Sequence, residues 1–305
     1  MHAITVKAYG KINPTLEVLG KKEDGFYSLA LTWHRISRCD EVSITLNNKK
    51  DVIIASDNAS IPQGSESFRN NCYRAVKLLE SFVRQKEARF AMPGMEIYIS
   101  KKLPLCGGLG GSATDAASVF NALIALLELP VSLQEKNVIA GQVGHDCAFF
   151  CQEFSHARGE ELTPQGVVLE RLPCLDGWAI CVSPNLEINA GHAYAGLESQ
   201  EKNLFLEKEE NTQTRTMVLR LQQGANLRQV APLFCNHLEY SSATFALHPI
   251  LEGIKTSLKQ AGCLTASMSG SGSTIFGVVE TQTLAEKIKA TLQMRYPNVF
   301  IAKFC

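Results

Sequence analysis

Apolar and polar residues alternate over positions 3–9 (AITVKAY), a period of two that predicts a β-strand. Gly10-Lys11-Ile12-Asn13-Pro14 interrupts the alternation and TLEVLG (15–20) resumes it, so Lys11 stands at a break between two strands. Lysine in a loop is ordinarily a solvated side chain. Lys-Lys-Glu-Asp-Gly (21–25) reads as a turn, and FYSLALTWHRIS (26–37), EVSITL (41–46) and DVIIAS (51–56) predict further strands. The period then changes. Tyr73, Val76, Leu79 and Val83 share one face of a helix expected over 70–85, and MEIYI (95–99) returns to strand. The first third of the chain is a β-rich meander.

The stretch PLCGGLGGSATDAASVF (104–120) organises the rest of the chain. Gly107, Gly108, Gly110 and Gly111 fall within five residues. Ser112 fits an N-cap and Asp115 completes an S-x-x-D capping box, after which Ala116, Phe120, Leu123 and Leu127 repeat at helical spacing until Pro130. Glycines let the backbone turn tightly and let a ligand approach its N–H groups. A helix start adds unpaired donors and partial positive charge. Such a loop is either a tight turn or an anion cradle, and the order strand, glycines, cap, long helix favours a cradle for phosphate. It is not a Walker A loop, because no lysine follows Gly111. A dinucleotide fingerprint lacks its acidic residue some twenty positions on, and the protein-kinase H-R-D and D-F-G are missing.

A second helix is expected over 132–143, capped by Ser132 with Glu135. It leads to VGHDCAFF (143–150), where Asp146 is a lone carboxylate in an apolar run. Asp146 is either a helix cap or a carboxylate held near a cation, able to orient or accept a proton. Turn signals at 164–166 and 173–177 place a domain boundary near 160–175, dividing the chain into 1–165 and 166–305. WAICVSP (178–184) reads as a buried strand and the polar segment 198–215 as a surface loop or helix ends. A helix near 249–260, LTASMSGSGSTIFGVVE (264–280), a helix near 283–294 and NVFIAKF (298–304) complete the chain. The order suggests an α+β fold whose second domain is an α/β sandwich on a mostly antiparallel sheet. The small residues at 269–274, between two apolar strands, read as a close-approach loop.

At 305 residues two domains are the natural expectation. Thirty basic and thirty acidic residues balance, which leaves no electrostatic footprint for nucleic acid or an anionic membrane. No stretch reaches the ~18 apolar residues of a membrane span. MHAITVKAYGK has no long apolar run, so no signal peptide and a cytoplasmic location are expected. Ten scattered cysteines without a C-x-x-C read as reduced, small core residues, and seven histidines without metal-ligand spacing predict no zinc site.

AYGKINPTLEVLG (8–20), PLCGGLGGSATDAA (104–117) and MSGSGSTIFG (268–277) together resemble the three motifs of the GHMP small-molecule kinases, in the right order across most of the chain. That family includes galactokinase and the homoserine, mevalonate and phosphomevalonate kinases. The resemblance implies a two-domain GHMP-kinase-like fold, an N-terminal mixed β-α domain and a C-terminal α/β sandwich with the cleft between them. It implies ATP and Mg²⁺ and phosphoryl transfer to a hydroxyl. It carries the catalytic roles to Lys11 and Asp146. The ATP-phosphate loop becomes Pro104, Leu105, Cys106, Gly107, Gly108, Leu109, Gly110, Gly111, Ser112, Ala113 and Thr114, with a hydroxyl from Ser112 or Thr114. No metal ligand is carried over. The K-I-N, the D-G-F turn at 24–26 and the G-x-D at 144–146 look most like the branch that phosphorylates a cytidine-diphosphate-linked polyol in the non-mevalonate route to isoprenoids. In that branch Asn13, Phe26, Tyr27 and Asp146 fall where substrate is touched. This chain departs from it with Phe26-Tyr27 for Tyr-His, Asp146-Cys147-Ala148 for D-V-P, and Ala190 for a threonine. A homoserine- or mevalonate-type kinase, or a non-catalytic binding protein on the same fold, are the alternatives.

Overall fold

The structure is a computed structural model describing residues 3–305 apart from Asp24, Phe26, residues 164–165 and 199–209, and Asn211. The larger of two sheets contains β1 (Ala3–Ile12), β2 (Thr15–Lys21), β3 (Tyr27–Asn47), β4 (Val52–Ser56), β5 (Gly94–Ser100), β6 (His156–Thr163) and β7 (Gly166–Arg171). An eighth, two-residue strand reaches it from the other half of the chain. All of these pairs are antiparallel except β4 with β5 and the returning strand with β2. The helices α1 (Asn71–Lys86), α2 (Gly111–Leu126), α3 (Leu133–Val143) and the short α4 (His145–Phe150) pack against this sheet, sharing one core with it.

Two strands expected at 26–37 and 41–46 are one: β3 runs through 21 residues. The polar residues between them do not break it, because they stay in register with β1, Tyr9 opposite Cys39 and Ala8 opposite Asp40. Asp40 is buried and accepts the N–H groups of Lys102 and Leu103 at 2.6 and 2.7 Å. A charged residue that reads as a strand end is thus a satisfied interior acceptor.

The second sheet is wholly antiparallel. Its strands are β8 (Trp178–Val182), β10 (Thr265–Met268), β11 (Ile275–Val279) and β12 (Val299–Lys303), in the order β10-β11-β8-β12. Ile180 and Val182 share a core with Leu251 and Ile254 of α8 (Ile250–Gln260) and Ile288 of α9 (Gln282–Gln293). Ala179 and Cys181, alternating with them, join Met217 of α6 (Gln213–Gln222), Leu227 of the one-turn α7 (Leu227–Val230), and Ile12, Leu103 and Leu109 from the first half. Both faces are buried, which is why these strands read as continuous apolar runs. Helix α5 (Ala190–Glu198) lies between the sheets in sequence, and β9 (Cys235–Asn236) is the strand that returns to pair with β2. Asn236 there donates to the carbonyls of Met268 and Gly270, both at 2.8 Å.

The helix caps divide by purpose. Ser132 and Glu135 form the expected capping box on α3, and Asn70 caps α1. The capping box expected from Ser112 and Asp115 is not formed. Gly110 occupies the N-cap of α2 in the left-handed region (φ 72°, ψ 20°) and offers no side chain. Ser112 lies inside the first turn, its hydroxyl taking the Asn71 side-chain N–H at 2.9 Å, and Asp115 is turned into the interior. A side-chain cap would have consumed a donor that an anion can use.

His34 is fully buried where the two halves meet, edge-on to His156 at 4.4 Å and near Phe304. Neither ring nitrogen of His34 has a hydrogen-bond partner. Burial, then the charge of His156, pushes His34 well below the usual histidine value of 6.5; burial and Arg35 lower His156 to about 4. Protons therefore bind the unfolded chain first, and stability is lost as pH falls from about 6.5 towards 4. Urea-unfolding midpoints should drop across that window, and the double variant His34→Phe/His156→Phe should show a shallower drop.

Candidate active site

A cleft of about 1260 Å³ opens between the sheets, lined by Lys11, Asn13, Trp33, Asp146, Tyr194 and all loop residues from 104 to 113. Three distant segments build its floor through their backbones. The Lys11 N–H donates to the Leu109 carbonyl at 3.0 Å, the Thr274 N–H to Gly107 and the Ser273 N–H to Cys106, each at 3.2 Å. The Ser269 hydroxyl donates to the Gly108 carbonyl at 2.8 Å. The approach requires glycine. A Cβ on Gly108 (φ 71°) would lie inside the Ser269 carbonyl, and one on Gly110 would meet Phe150 at 2.8 Å and the Lys11 stem at 3.2 Å. The first helical bond of α2 runs from Thr114 N–H to the Gly110 carbonyl, so the amides of Gly111, Ser112 and Ala113 precede it. With no acidic residue in that turn, the cradle suits a polyphosphate.

The loop at 269–274, read as a close-approach loop, approaches and braces the glycine loop; Gly270 and Ser271 of it also border the cleft. Lys11 is not a solvated lysine. It is 3% exposed, near the end of β1, where pairing with β3 slips between Tyr9 and Lys11. Such a bulge re-aims a side chain, here inward. Its ammonium donates to Asn13 Oδ1 at 2.5 Å and stands 3.5 Å from Asp146 Oδ2. Burial lowers its pKa while Asp146 opposes the shift. Asp146 sits in the first turn of α4 after Gly144, so Gly144, not Asp146, is the cap. Its other oxygen accepts the Trp33 indole N–H at 2.7 Å, and Trp33 is fixed by stacking on Phe149.

Behind the cradle lies a buried charge cluster. The Lys101 ammonium donates to Asp40 and, at 2.9 Å, to Asp115. It is close to the backbone of Gly111: a Cβ there would lie 3.1 Å from it.

Other expected residues are distributed unevenly. Asn13 borders the cleft but is 1% exposed, its amide nitrogen donating to the Thr32 carbonyl at 3.0 Å, so it holds Lys11 in place. Tyr27 is not in the cleft wall; it stacks at 5.1 Å on Tyr194, which is. Phe26 lies outside the described residues. Thr114 is buried away from the cleft, leaving Ser112 as the loop hydroxyl that faces it. Trp33, Tyr194, Glu187 and His145 also line the cleft, and none of them was expected from the sequence. For Trp33 the signal was the indole N–H, which needs a partner when buried. Among the described residues no group of three His, Cys, Asp or Glu side chains can hold a metal, and no helix is long and apolar enough to cross a membrane.

Comparison with known proteins agrees with this geometry. The model of the GHMP kinases N terminal domain matches residues 70–152 and that of the GHMP kinases C terminal matches 219–298, together more than half of the chain. The chain belongs to the GHMP kinases. Among curated relatives, 4-diphosphocytidyl-2-C-methyl-D-erythritol kinase of Geobacter sulfurreducens is 31% identical, covering 99% of this chain and 98% of the relative. The enzyme of the same name from Moorella thermoacetica is 29% identical, covering 99% of each. Among solved structures, 4-(cytidine 5'-diphospho)-2C-methyl-D-erythritol kinase superposes with a TM-score of 0.75 at 23% identity over 98% of both chains. Homoserine kinase from Cytophaga hutchinsonii gives 0.72 at 20% identity over 100% of this chain and 95% of that one. At these identities the structures speak for the fold, two GHMP domains of mixed α+β architecture.

The interlocked loops give a test within this GHMP kinase. In Gly270→Val a side chain at φ 55° would stand 3.1 Å from both the Gly108 carbonyl and the Lys11 ammonium. Displacing the loop by about 1 Å should lower kcat/KM by about 100-fold. Gly20→Ala, where nothing lies within 4 Å, should leave steady-state kinetics unchanged.

Proposed function

We propose that this GHMP kinase transfers the γ-phosphoryl group of ATP to a hydroxyl of 4-diphosphocytidyl-2-C-methyl-D-erythritol, a step in non-mevalonate isoprenoid formation. The curated relatives of that name, matched over nearly the full length, support the substrate. The observation that carries the chemistry is the Lys11 ammonium, 3.5 Å from the Asp146 carboxylate and against the glycine loop.

Phosphoryl transfer is mainly positioning and charge stabilisation. The amides at the start of α2 seat the triphosphate. Asp146, aimed by the Trp33 indole, orients the acceptor hydroxyl and takes its proton. Lys11, fixed by Asn13, lies between that carboxylate and the cradle, where it stabilises charge on the group in transit. Mg²⁺ would neutralise phosphate oxygens while keeping most of its water, with Ser112 and the Glu187 carboxylate as the cleft groups able to approach it. Tyr194, braced by Tyr27, offers a π-face at the cleft wall to a flat base.

Asp146→Asn keeps the indole bond but removes the base, so kcat should fall by about 10²–10⁴-fold with the Kd for ATP little changed; near-full activity would refute its role. An ADP-release assay decides the substrate. Turnover is expected with the cytidyl polyol and not with mevalonate, homoserine or galactose; preference for one of those would replace this reading with another GHMP kinase. No turnover with any, from protein that binds ATP, would favour a non-catalytic binding protein.

A further inference from the structure

Asp115, expected to cap a helix, has been freed from that task, and its surroundings suggest another. Asp40 and Asp115 flank Lys101, their side chains at most 4% exposed, as is that of Lys101 itself. With both carboxylates ionised the three carry one net negative charge. Asp40 satisfies both of its oxygens, with the N–H groups of Lys102 and Leu103 on one and Lys101 on the other. Asp115 does not: its Oδ2 takes Lys101, while its Oδ1 is buried without any partner. An isolated carboxylate oxygen away from water is costly unless neutralised.

The cluster lies directly beneath the cradle. Lys101 borders the cleft, and a Cβ on Gly111, whose amide opens α2, would stand 3.1 Å from the Lys101 ammonium and 3.8 Å from Asp40. A net negative charge here opposes a polyphosphate docking against the same backbone.

We propose that Asp40, Lys101 and Asp115 form a proton-linked counter-charge for the phosphate loop, in which Asp115 takes up one proton as the nucleotide polyphosphate docks. Asp115 is then a positioning residue, acting on the nucleotide through Lys101 and the start of α2. The proton comes from solvent and ends on the unpartnered oxygen of Asp115; no other bond changes. Burial first, and the Asp40 charge after it, push Asp115 up to about 7 against the pull of Lys101, so the free protein is poised to accept that proton near neutrality. The groups facing Asp115 are Asp40 from β3, Lys101 after β5 and the Cys72 thiol from α1, which burial keeps protonated. Among the described residues, β1, α3 and α4, also packed on α2, bring no charge to bear on it. The inference rests on reading the loop as a nucleotide seat.

Calorimetric titration with Mg·ADP tests it, in buffers of different ionisation enthalpy and across pH 7 to 8.5. Wild-type protein should take up more protons on binding than Asp115→Asn, and its Kd should weaken by about tenfold more than the variant's over that range. The ligand's own titration cancels in the comparison. If Asp115→Asn does not fold, Asp40→Asn serves: it removes the excess charge, so the extra proton uptake should vanish there too. Equal uptake and parallel Kd profiles in wild type and variant would overturn the proposal while leaving the nucleotide seat intact. Failure of folded wild-type protein to bind Mg·ADP would sink both.

Discussion

Everything in this molecule turns on three backbones touching without side chains between them. The bulged end of β1, the glycine loop and the loop between β10 and β11 exchange main-chain hydrogen bonds. Each crossing is possible only because a Cβ is missing from one partner: Gly108 beneath Ser269, Gly110 against Lys11, Gly270 above Gly108. Regular secondary structure could not supply this junction, since a helix or strand uses up its own N–H groups. Because the loops satisfy each other on one side, the amides at the start of α2 remain directed to the other.

That junction also settles the electrostatics. A lysine whose side chain is 4% exposed is tolerated because a carboxylate and an amide oxygen share it. Breaking such a set costs more than the set contributes, so the surrounding shell of Trp33, Phe149, Asn13 and Thr32 is as necessary as the pair itself. Trp33 in turn occupies the space that a Cβ on Gly159 would need, and so the placing of the Asp146 carboxylate reaches back to a glycine on β6.

Much of this was legible in the residues. Alternation gave most strands, the helical period gave α1 and capping chemistry gave α3, each to within a residue, and the glycine spacing gave the place where backbones cross. The pairing of Lys11 with Asp146 came from the family likeness, not from spacing, because 135 positions separate them and nothing local links the two. What misled were polar residues with interior work. Asp40 read as a strand end and Asp115 as a cap, since a sequence displays charge but not the lysine that will meet it. The smallness of the Gly-Ser loop indicated close approach without naming the partner, the glycine loop.

The shortest strand has the longest reach. β9 is only two residues, yet it carries the later half of the chain back to lie parallel to β2, beginning opposite Thr15, and from it Asn236 fastens both Met268 and Gly270. One side of the cleft is therefore stitched to the other through the strand next after Lys11. Severing the chain at the change of sheet would strip β2 of its parallel neighbour and take the Asn236 clasp away with it, so the seam belongs to both halves at once.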